Sequence, residues 1–387
     1  MIKLSNAALN VIGQPMFNLL DKVEKLERAG KSIIHFELGE PDFDTPANIT
    51  DACINSLNNG NTHYVNSKGL FKFREAIVKT TIKSRGFEPS IEQVLVTPGA
   101  NAIVYLAISC IANPGDEVII PDPGFPTYYS ALSFCGVKPV TVPLHEINKF
   151  QLDPEDLEKK ITNKTRMIII NSPSNPTGSI IPPDSLKKIA EICEKNNIFL
   201  LSDEIYGRMK FQKEDFFCPG SLDSCKHRTI ILNGFSKAFA MTGWRLGVAI
   251  GPEPVIEKMS LALQTIVSCV PPFIQDAGIE AITGDQSAAD NMMIEYKKRR
   301  DLLVDGLNKI NGIRCILPEG ALYAFPNIEG TGFSSEEFAN YILEKAGVAL
   351  LPGTNFGKMG EGFIRMCYVT KEQNILEGLS RISSALR

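Results

Sequence analysis

Short apolar runs alternate with longer amphipathic stretches between about residue 90 and about residue 270. This alternation is typical of α/β proteins, in which strands buried on both faces read as continuous apolar runs such as MIII, IFLL and TIIL. Because parallel strands need crossover connections, the stretch is predicted to form one large, mainly parallel sheet layered by helices. Its seven predicted strands are Val94 to Val96, Glu117 to Ile120, Lys138 to Val142, Met167 to Ile170, Ile198 to Leu201, Thr229 to Leu232 and Leu246 to Ile250.

Three helices have recognisable ends. Asp153 before Pro154 predicts a capped helix start, and Pro183 predicts the start of a second helix. An amphipathic helix is predicted over residues 17–29, closing on Gly30.

The pattern changes after about residue 285, where a very polar helix precedes shorter elements such as GALYAFPNI and GFIRMCYVT. We expect a smaller α+β domain here, to which the N-terminal residues also contribute. The predicted division is residues 1–45 as an N-terminal arm and part of the small domain, 46–284 as the large domain, and 285–387 as the C-terminal small domain.

The overall charge excludes several function classes. Forty Lys and Arg residues against 44 Asp and Glu give a net charge of −4, so bulk electrostatics do not indicate a nucleic-acid or anionic membrane partner.

The N-terminus lacks the apolar core of a secretory signal, and the longest apolar run, residues 102–112, is shorter than the roughly 18 residues of a membrane helix. Nine cysteines without a CxxC pair read as reduced thiols, and no motif predicts a metal site. We therefore expect a cytoplasmic protein.

The segment NGFSKAFAMTGWRLG, residues 233–247, contains the first candidate catalytic residue, Lys237. It follows the apolar run TIIL, so Lys237 is predicted on a loop at the carboxyl end of a parallel strand, where ligands bind in open α/β sheets. Small neighbouring residues leave room for a flat cofactor, and a desolvated amine is easily deprotonated for attack on an aldehyde. The alternative is an ordinary solvated loop lysine.

A carboxylate is predicted at the end of the neighbouring apolar strand. Asp203 closes the segment that begins with the run IFLL, with one residue between it and that run, and a buried acid needs a partner. A protonated pyridine nitrogen would supply one, since the carboxylate would hold the proton on a ring that draws electrons from a neighbouring carbanion. The alternative is an N-cap for a following helix.

Two further strand ends carry candidate ligand-binding groups. In NSPSNPTG, two prolines and a glycine bracket Asn175, whose amide would be held on a rigid turn and could donate to a phenolate oxygen; the Asn175–Pro176 bond is predicted to be cis. In TPGAN, the backbone N–H groups of Gly99, Ala100 and Asn101 would point from a helix N-terminus toward a phosphate. The alternatives are a turn and a helix start needed only for backbone geometry.

An ordered set of motifs along nearly the whole chain resembles the class I/II aminotransferases of the pyridoxal phosphate fold type I family. The motifs are GEPDFDTP (39–46), HYVNSKGLFKFREAI (63–77), TPGAN (97–101), PGFPTYYS (123–130), NSPSNPTG (171–178), SDEIY (202–206), FSKAFAMTGWRLG (235–247) and GFIRMCY (362–368). The resemblance is closest to the subgroup of bacterial aspartate/prephenate-type and broad-specificity enzymes. It implies a large domain that binds pyridoxal 5′-phosphate through a mainly parallel seven-stranded sheet.

The resemblance also implies roles for residues of the cofactor site. Lys237 would form the Schiff base and then move a proton between substrate and cofactor, Asp203 would pair with the pyridine N–H, and Tyr206 and Asn175 would bond the O3′ oxygen. Phe125 would stack on the ring. The phosphate would lie against a group of residues comprising Gly99, Ala100, Asn101, Ser236, Arg245 and, from the neighbouring subunit of a homodimer, Tyr64.

For the substrate, the resemblance implies that Arg365 binds the α-carboxylate with its planar fork, together with Asn175, and that Gly39 allows a close approach of the backbone. Without the resemblance, the alternative interpretations are that Arg245 is a surface charge and that Arg365 is an ordinary strand-edge arginine. One position departs from the aspartate-type pattern, because the neutral Asn101 stands where those relatives carry a lysine that holds an acidic side chain. A preference for acidic substrates is therefore in doubt.

The implied function is transfer of an α-amino group from an L-amino acid to a 2-oxo acid through the Lys237 Schiff base and a pyridoxamine phosphate intermediate. A pyridoxal-phosphate-dependent lyase, of the C–S lyase or aminocyclopropane-carboxylate synthase type, is the alternative. A cofactor-binding module of a transcription regulator would need an additional DNA-binding region, for which the chain has no extension.

Overall fold

The computed structural model describes residues 3–212 and 216–387. In these ranges the strands are β1 (Ile34–His35), β2 (Val94–Thr97), β3 (Glu117–Asp122), β4 (Lys138–Pro143), β5 (Thr165–Asn171), β6 (Phe199–Asp203), β7 (Thr229–Gly234), β8 (Gly247–Ile250), β9 (Tyr323–Ala324), β10 (Val348–Ala349), β11 (Leu351–Pro352) and β12 (Ile364–Cys367). The α-helices are α1 (Asn6–Leu9), α2 (Pro15–Arg28), α3 (Ala47–Asn58), α4 (Phe71–Arg85), α5 (Ala100–Ile111), α6 (Pro126–Phe134), α7 (Pro154–Glu158), α8 (Pro183–Lys195), α9 (Gly220–Asp223), α10 (Glu253–Val267), α11 (Pro272–Thr283), α12 (Ser287–Leu307), α13 (Ser335–Ala346) and α14 (Glu372–Ala385).

Strands β2 to β8 form one seven-stranded sheet in the order β2-β8-β7-β6-β5-β3-β4. The strands from β3 to β7 pair in parallel, and β8 runs antiparallel to both β2 and β7. All seven strands predicted from the apolar runs are therefore present, and the mainly parallel sheet is confirmed.

The central strands are buried on both faces, which explains their continuous apolar sequences. In β5, Met167 and Ile169 pack into the core beneath α5, α6 and α10, whereas Ile168 and Ile170 pack on the opposite side with residues of α8. Alternate side chains of an extended strand point to opposite faces, so both sets are shielded from water.

Two of the predicted helix starts agree with the structure, and the third helix differs by one or two residues at its ends. The Asp153 carboxylate accepts a hydrogen bond from the Glu155 N–H at 2.8 Å, and α8 begins at Pro183. The helix predicted over residues 17–29 begins two residues earlier, at Pro15, and ends at Arg28.

Two smaller sheets lie outside the large one. Strands β11, β12 and β9 form an antiparallel sheet, while β1 pairs in parallel with β10 and so joins the N-terminal segment to the C-terminal part of the chain. Within residues 3–212 and 216–387, no helix has both the length and the apolar character needed to cross a membrane.

Candidate active site

A cavity of about 590 Å³ lies at the carboxyl ends of the parallel strands. Most of the residues that the sequence singles out line it, namely Gly39, Ala100, Asn101, Phe125, Asn175, Asp203, Tyr206, Ser236, Lys237, Arg245 and Arg365. Parallel strands all present their carboxyl ends at one edge of a sheet, and this geometry brings the ends of β5, β6 and β7 together.

Lys237 lies on the loop after β7, where its partly buried amine faces the cavity. Its Nζ donates a hydrogen bond to the Gly39 carbonyl at 2.6 Å. Desolvation by the surrounding protein is the main cause that lowers the pKa of Lys237 to about 8. The positive charges of Arg365 and Arg245 act in the same direction, and Cys367 and Glu40 oppose the shift. A substantial fraction of this amine is thus neutral near pH 8, unlike that of a solvated loop lysine.

Asp203, the last residue of β6, presents a buried carboxylate to the cavity. One oxygen accepts a hydrogen bond from the Tyr128 hydroxyl at 2.6 Å, and the other accepts from the Ile205 N–H at 3.1 Å. Burial raises the pKa of Asp203 to about 6, although both hydrogen bonds oppose the shift. Residues 205–208 form a turn rather than a helix, so Asp203 is not a helix N-cap.

The surroundings of the Asp203 carboxylate show whether the site suits the pyridine ring of pyridoxal phosphate. The carboxylate is buried, and in the described part of the chain no Lys, Arg or His forms an ion pair with it. A pyridinium N–H would supply the missing positive charge and lower the pKa again. The carboxylate therefore suits a protonated aromatic ring in the cavity.

Two tyrosine hydroxyls meet beside this carboxylate. Tyr206 and Tyr323 are hydrogen-bonded at 2.6 Å, and both are buried. Tyr323 also explains why position 39 is a glycine, because a Cβ there would overlap the Tyr323 ring. Tyr323 and Tyr128 could not be assigned to the site from sequence, because nothing in the spacing of the segments GALYAFPNI and PGFPTYYS indicates these contacts.

Asn175 is held by main-chain and side-chain hydrogen bonds at the end of β5. Its N–H donates to Asn171 Oδ1 at 2.8 Å, and the Asn171 amide donates to the Asp203 carbonyl at 3.1 Å. The Asn175–Pro176 peptide is cis, which confirms that prediction. Asn175 Oδ1 accepts a hydrogen bond from Arg365, so the side-chain N–H₂ group of Asn175 is available to other partners.

Arg365 on β12 is almost fully buried, unlike an ordinary strand-edge arginine. Its Nη1 donates to Asn175 Oδ1 at 3.2 Å, and its Nη2 donates to the Glu37 carbonyl. The guanidinium lies over the rings of Tyr323 and Phe356, at 4.5 and 5.0 Å from their centroids. Among the described residues its buried Nε has no hydrogen-bond partner. A buried donor of this kind suits an anionic ligand.

The N-terminus of α5, where the sequence predicts a phosphate-binding site, offers fewer free N–H groups than expected. Helix α5 begins at Ala100, so the N–H groups of Ala100 and Asn101 have no partner within the helix. The Gly99 N–H, however, donates to the Thr97 carbonyl at 2.8 Å, whereas a role as a phosphate donor requires it to be free. Gly99 itself does not line the cavity, but its missing Cβ makes room for the Arg245 guanidinium, which is exposed at the cavity rim.

Tyr64 lies outside this cavity. Its side chain is 87% exposed and borders a separate pocket that includes His63 and Asp276. The cavity is also lined by residues to which no sequence pattern gives a place in the site, namely Gln14, Met16, Phe17 and Leu20 at the start of α2. They are distant in sequence from every motif, and only the fold brings them to the site.

Comparisons with known proteins agree with this arrangement. The family described as aminotransferase class I and II matches residues 31–382. An aspartate aminotransferase from Pyrococcus horikoshii is 44% identical, covering 94% of this chain and 93% of the relative. An aromatic-amino-acid aminotransferase 2 from Thermococcus litoralis is 38% identical, covering 95% of each. The structure of the aspartate aminotransferase from Thermus thermophilus with maleate is 32% identical, with a TM-score of 0.95 and full coverage of both chains.

Proposed function

This chain belongs to the class I and II aminotransferases and is a pyridoxal-phosphate-dependent enzyme of fold type I, and on that premise we propose roles for the polar and aromatic residues described above. The lyase alternative is not favoured, since the relatives described above are named aminotransferases. Bound pyridoxal phosphate supplies an aldehyde that accepts the amino group and a ring that withdraws electrons from the substrate Cα.

The desolvated amine of Lys237 is the single observation that best supports the proposal. A lysine with a pKa of about 8 can attach to an aldehyde near neutral pH and, once released, can move the proton at the substrate Cα. In this proposal Asp203 keeps the ring nitrogen protonated, and Tyr128 holds the Asp203 carboxylate in place. Tyr206 and Asn175 orient the ring through its O3′ oxygen, and Phe125 stacks on its face.

We assign substrate binding to Arg365 and phosphate binding to Arg245, both of which line the cavity. Arg365 would bind the α-carboxylate through its fork with help from Asn175, and Gly39 keeps the main chain close to Tyr323. Arg245, Ser236 and the N–H groups of Ala100 and Asn101 would hold the phosphate. Gly99 would act by leaving space for Arg245, rather than as a donor.

The substrate range is proposed to favour neutral over acidic side chains. In the described lining of the cavity the cationic side chains are Lys237, Arg245 and Arg365, and the roles above engage all three. Asn101 adds no charge that could hold a second carboxylate. L-Amino acids with neutral side chains would therefore bind at least as well as L-aspartate.

The complete site is proposed to need a homodimer, in which Tyr64 reaches the phosphate of the neighbouring subunit. Its exposure and its distance in the fold from its own cavity support this arrangement. We also propose that residues 46–284 form the cofactor-binding domain, with residues 1–45 and 285–387 assembling the smaller one. The large sheet falls entirely within the first of these ranges, and the β1–β10 pairing links the other two.

Borohydride reduction followed by peptide mass spectrometry tests the assignment of Lys237. Reduction should fix the cofactor's mass on the peptide that contains Lys237, and Lys237→Ala should abolish both this label and amino transfer. Lys226→Ala, which changes an exposed lysine elsewhere, is the matched control and should be labelled at Lys237 like the wild type. A label that persists on another lysine in Lys237→Ala would refute the assignment.

A further inference from the structure

A histidine lies between two glutamates next to the active site. His35 Nδ1 is 2.7 Å from Glu37 Oε1, and its Nε2 is 3.0 Å from Glu27 Oε1. The His35 and Glu27 side chains are each 43% exposed, whereas the Glu37 side chain is completely buried. The imidazole thus joins the last turn of α2 to a carboxylate inside the protein.

The histidine is positively charged at neutral pH. The hydrogen bond to Glu37 is the largest cause that raises the pKa of His35 to about 9, against the opposing effect of burial. The charge of Glu37 and the hydrogen bond and charge of Glu27 raise it further. Both ring nitrogens therefore donate, one to each glutamate.

The main chain around Glu37 holds two residues of the active site. The Glu37 carbonyl accepts a hydrogen bond from Arg365 Nη2, and the Gly39 carbonyl accepts one from Lys237 Nζ. The Phe36 carbonyl accepts from the Cys367 N–H at 2.9 Å, on the same strand as Arg365. The orientation of the Arg365 guanidinium thus depends on where the main chain at Glu37 lies.

The side chain of Glu37 anchors this main chain on one side, in addition to the hydrogen bonds that Phe36 makes with Ala349 and Cys367. In the part of the chain that the structure describes, Glu37 Oε2 has no hydrogen-bond partner, so the bond to His35 is what stabilises this buried carboxylate. A buried carboxylate that loses its cationic partner is costly, and the backbone that carries it would shift to expose it to water.

We propose that His35 and Glu37 form a positioning pair for Arg365, holding its guanidinium in the orientation that receives the substrate α-carboxylate. The pair does not touch the substrate and acts only through the Glu37 carbonyl. The inference rests on the proposed carboxylate-binding role of Arg365, and its test must separate the two.

The test compares the holoenzyme's reaction with L-alanine and with ethylamine, which is alanine without its carboxylate. The variants are Glu37→Gln and His35→Gln, and the measurement is the concentration dependence of the cofactor's absorbance change. Because a misplaced fork weakens carboxylate binding, we expect the half-saturating L-alanine concentration to rise about three- to tenfold. The maximal rate should change less than about twofold, and the reaction with ethylamine should stay as in the wild type.

Two further variants serve as controls for the substitutions of His35 and Glu37. Glu24→Gln removes an exposed ion-pair partner of Arg28 on α2 and should leave both reactions unchanged. His35→Lys keeps a positive donor beside Glu37 and should restore L-alanine binding relative to His35→Gln. Equal effects on L-alanine and ethylamine in Glu37→Gln and His35→Gln would overturn the proposal, because they would indicate general damage.

Arg365→Gln separates this proposal from the one on which it rests. If Arg365→Gln weakens L-alanine binding selectively while Glu37→Gln and His35→Gln do not, the positioning pair is wrong and the role of Arg365 stands. If Arg365→Gln has no selective effect, the role of Arg365 fails and the positioning pair fails with it. Should Glu37→Gln not fold, His35→Gln decides, since His35 is partly exposed.

Discussion

Asn101 presents a neutral, exposed side chain at the edge of the cavity, on the first turn of α5. A lysine at this position would place a charge where a substrate's second carboxylate could meet it. We expect Asn101→Lys to raise kcat/KM for L-aspartate relative to L-leucine about tenfold, the effect of one partly desolvated ion pair. Steady-state kinetics with both amino acids measure this ratio.

Asn101→Gln is the control for that substitution, since it lengthens the side chain without adding charge. It should leave the ratio between L-aspartate and L-leucine close to that of the wild type. An unchanged ratio in Asn101→Lys would show that this position does not face the substrate side chain.

Some individual site residues could be predicted from the sequence and others could not. Lys237 and Asp203 lie within five residues of the ends of apolar runs, so strand geometry alone predicts that both side chains reach the ligand-binding edge of the sheet. Tyr323 and Glu37 could not be predicted in this way. Tyr323 reaches the cavity through packing against Tyr206, and Glu37 acts through its carbonyl, which has no signature in the sequence.

The turn from β2 into α5 depends on Gly99, whose φ of +87° is a conformation that side chains disfavour. A Cβ there would also meet the Arg245 guanidinium, which would have to move. We expect Gly99→Ala to raise the dissociation constant of pyridoxal phosphate about tenfold, because one charged phosphate contact would be lost. Absorbance titration of the cofactor-free protein measures this constant.

Gly115→Ala provides the matched control for the turn. Gly115 has a similar φ of +91°, but an added Cβ would meet no atom within 4 Å. This variant should lose some stability through backbone strain while binding the cofactor like the wild type. Similar weakening of cofactor binding in both variants would mean that strain, rather than Arg245, is responsible.

Elements differ in how readily their sequences predict them. The seven strands of the large sheet are four to seven residues long, and each contains a run of mostly apolar residues that can be recognised in the sequence. Strands β1, β9, β10 and β11 have two residues each, too few to show any period. Their positions follow from pairing with distant segments, which no local pattern encodes.

At the scale of the whole molecule, the proposed homodimer predicts complementation between two defective chains. Lys237→Ala lacks the reactive amine, and Tyr64→Ala should bind the cofactor weakly. If Tyr64 acts across the interface, each hybrid dimer has one site with both residues intact. An equal mixture assembled by co-expression should then regain about a quarter of wild-type activity at a cofactor concentration too low for Tyr64→Ala alone.

Two outcomes would count against that arrangement. If Tyr64 acted within its own subunit, no site of the hybrid would be complete and the mixture would stay inactive. Full activity of Tyr64→Ala at low cofactor concentration would show that Tyr64 has no part in cofactor binding.

The central claim is that this chain transfers amino groups, and a single-turnover assay tests it most directly. Holoenzyme mixed with an excess of one L-amino acid, without any 2-oxo acid acceptor, should form about one equivalent of 2-oxo acid per subunit and then stop, with no free ammonia. Adding a different 2-oxo acid should restart the reaction and yield the corresponding amino acid. Continuous release of ammonia with the 2-oxo acid, and no dependence on an acceptor, would contradict aminotransferase activity and indicate lyase chemistry.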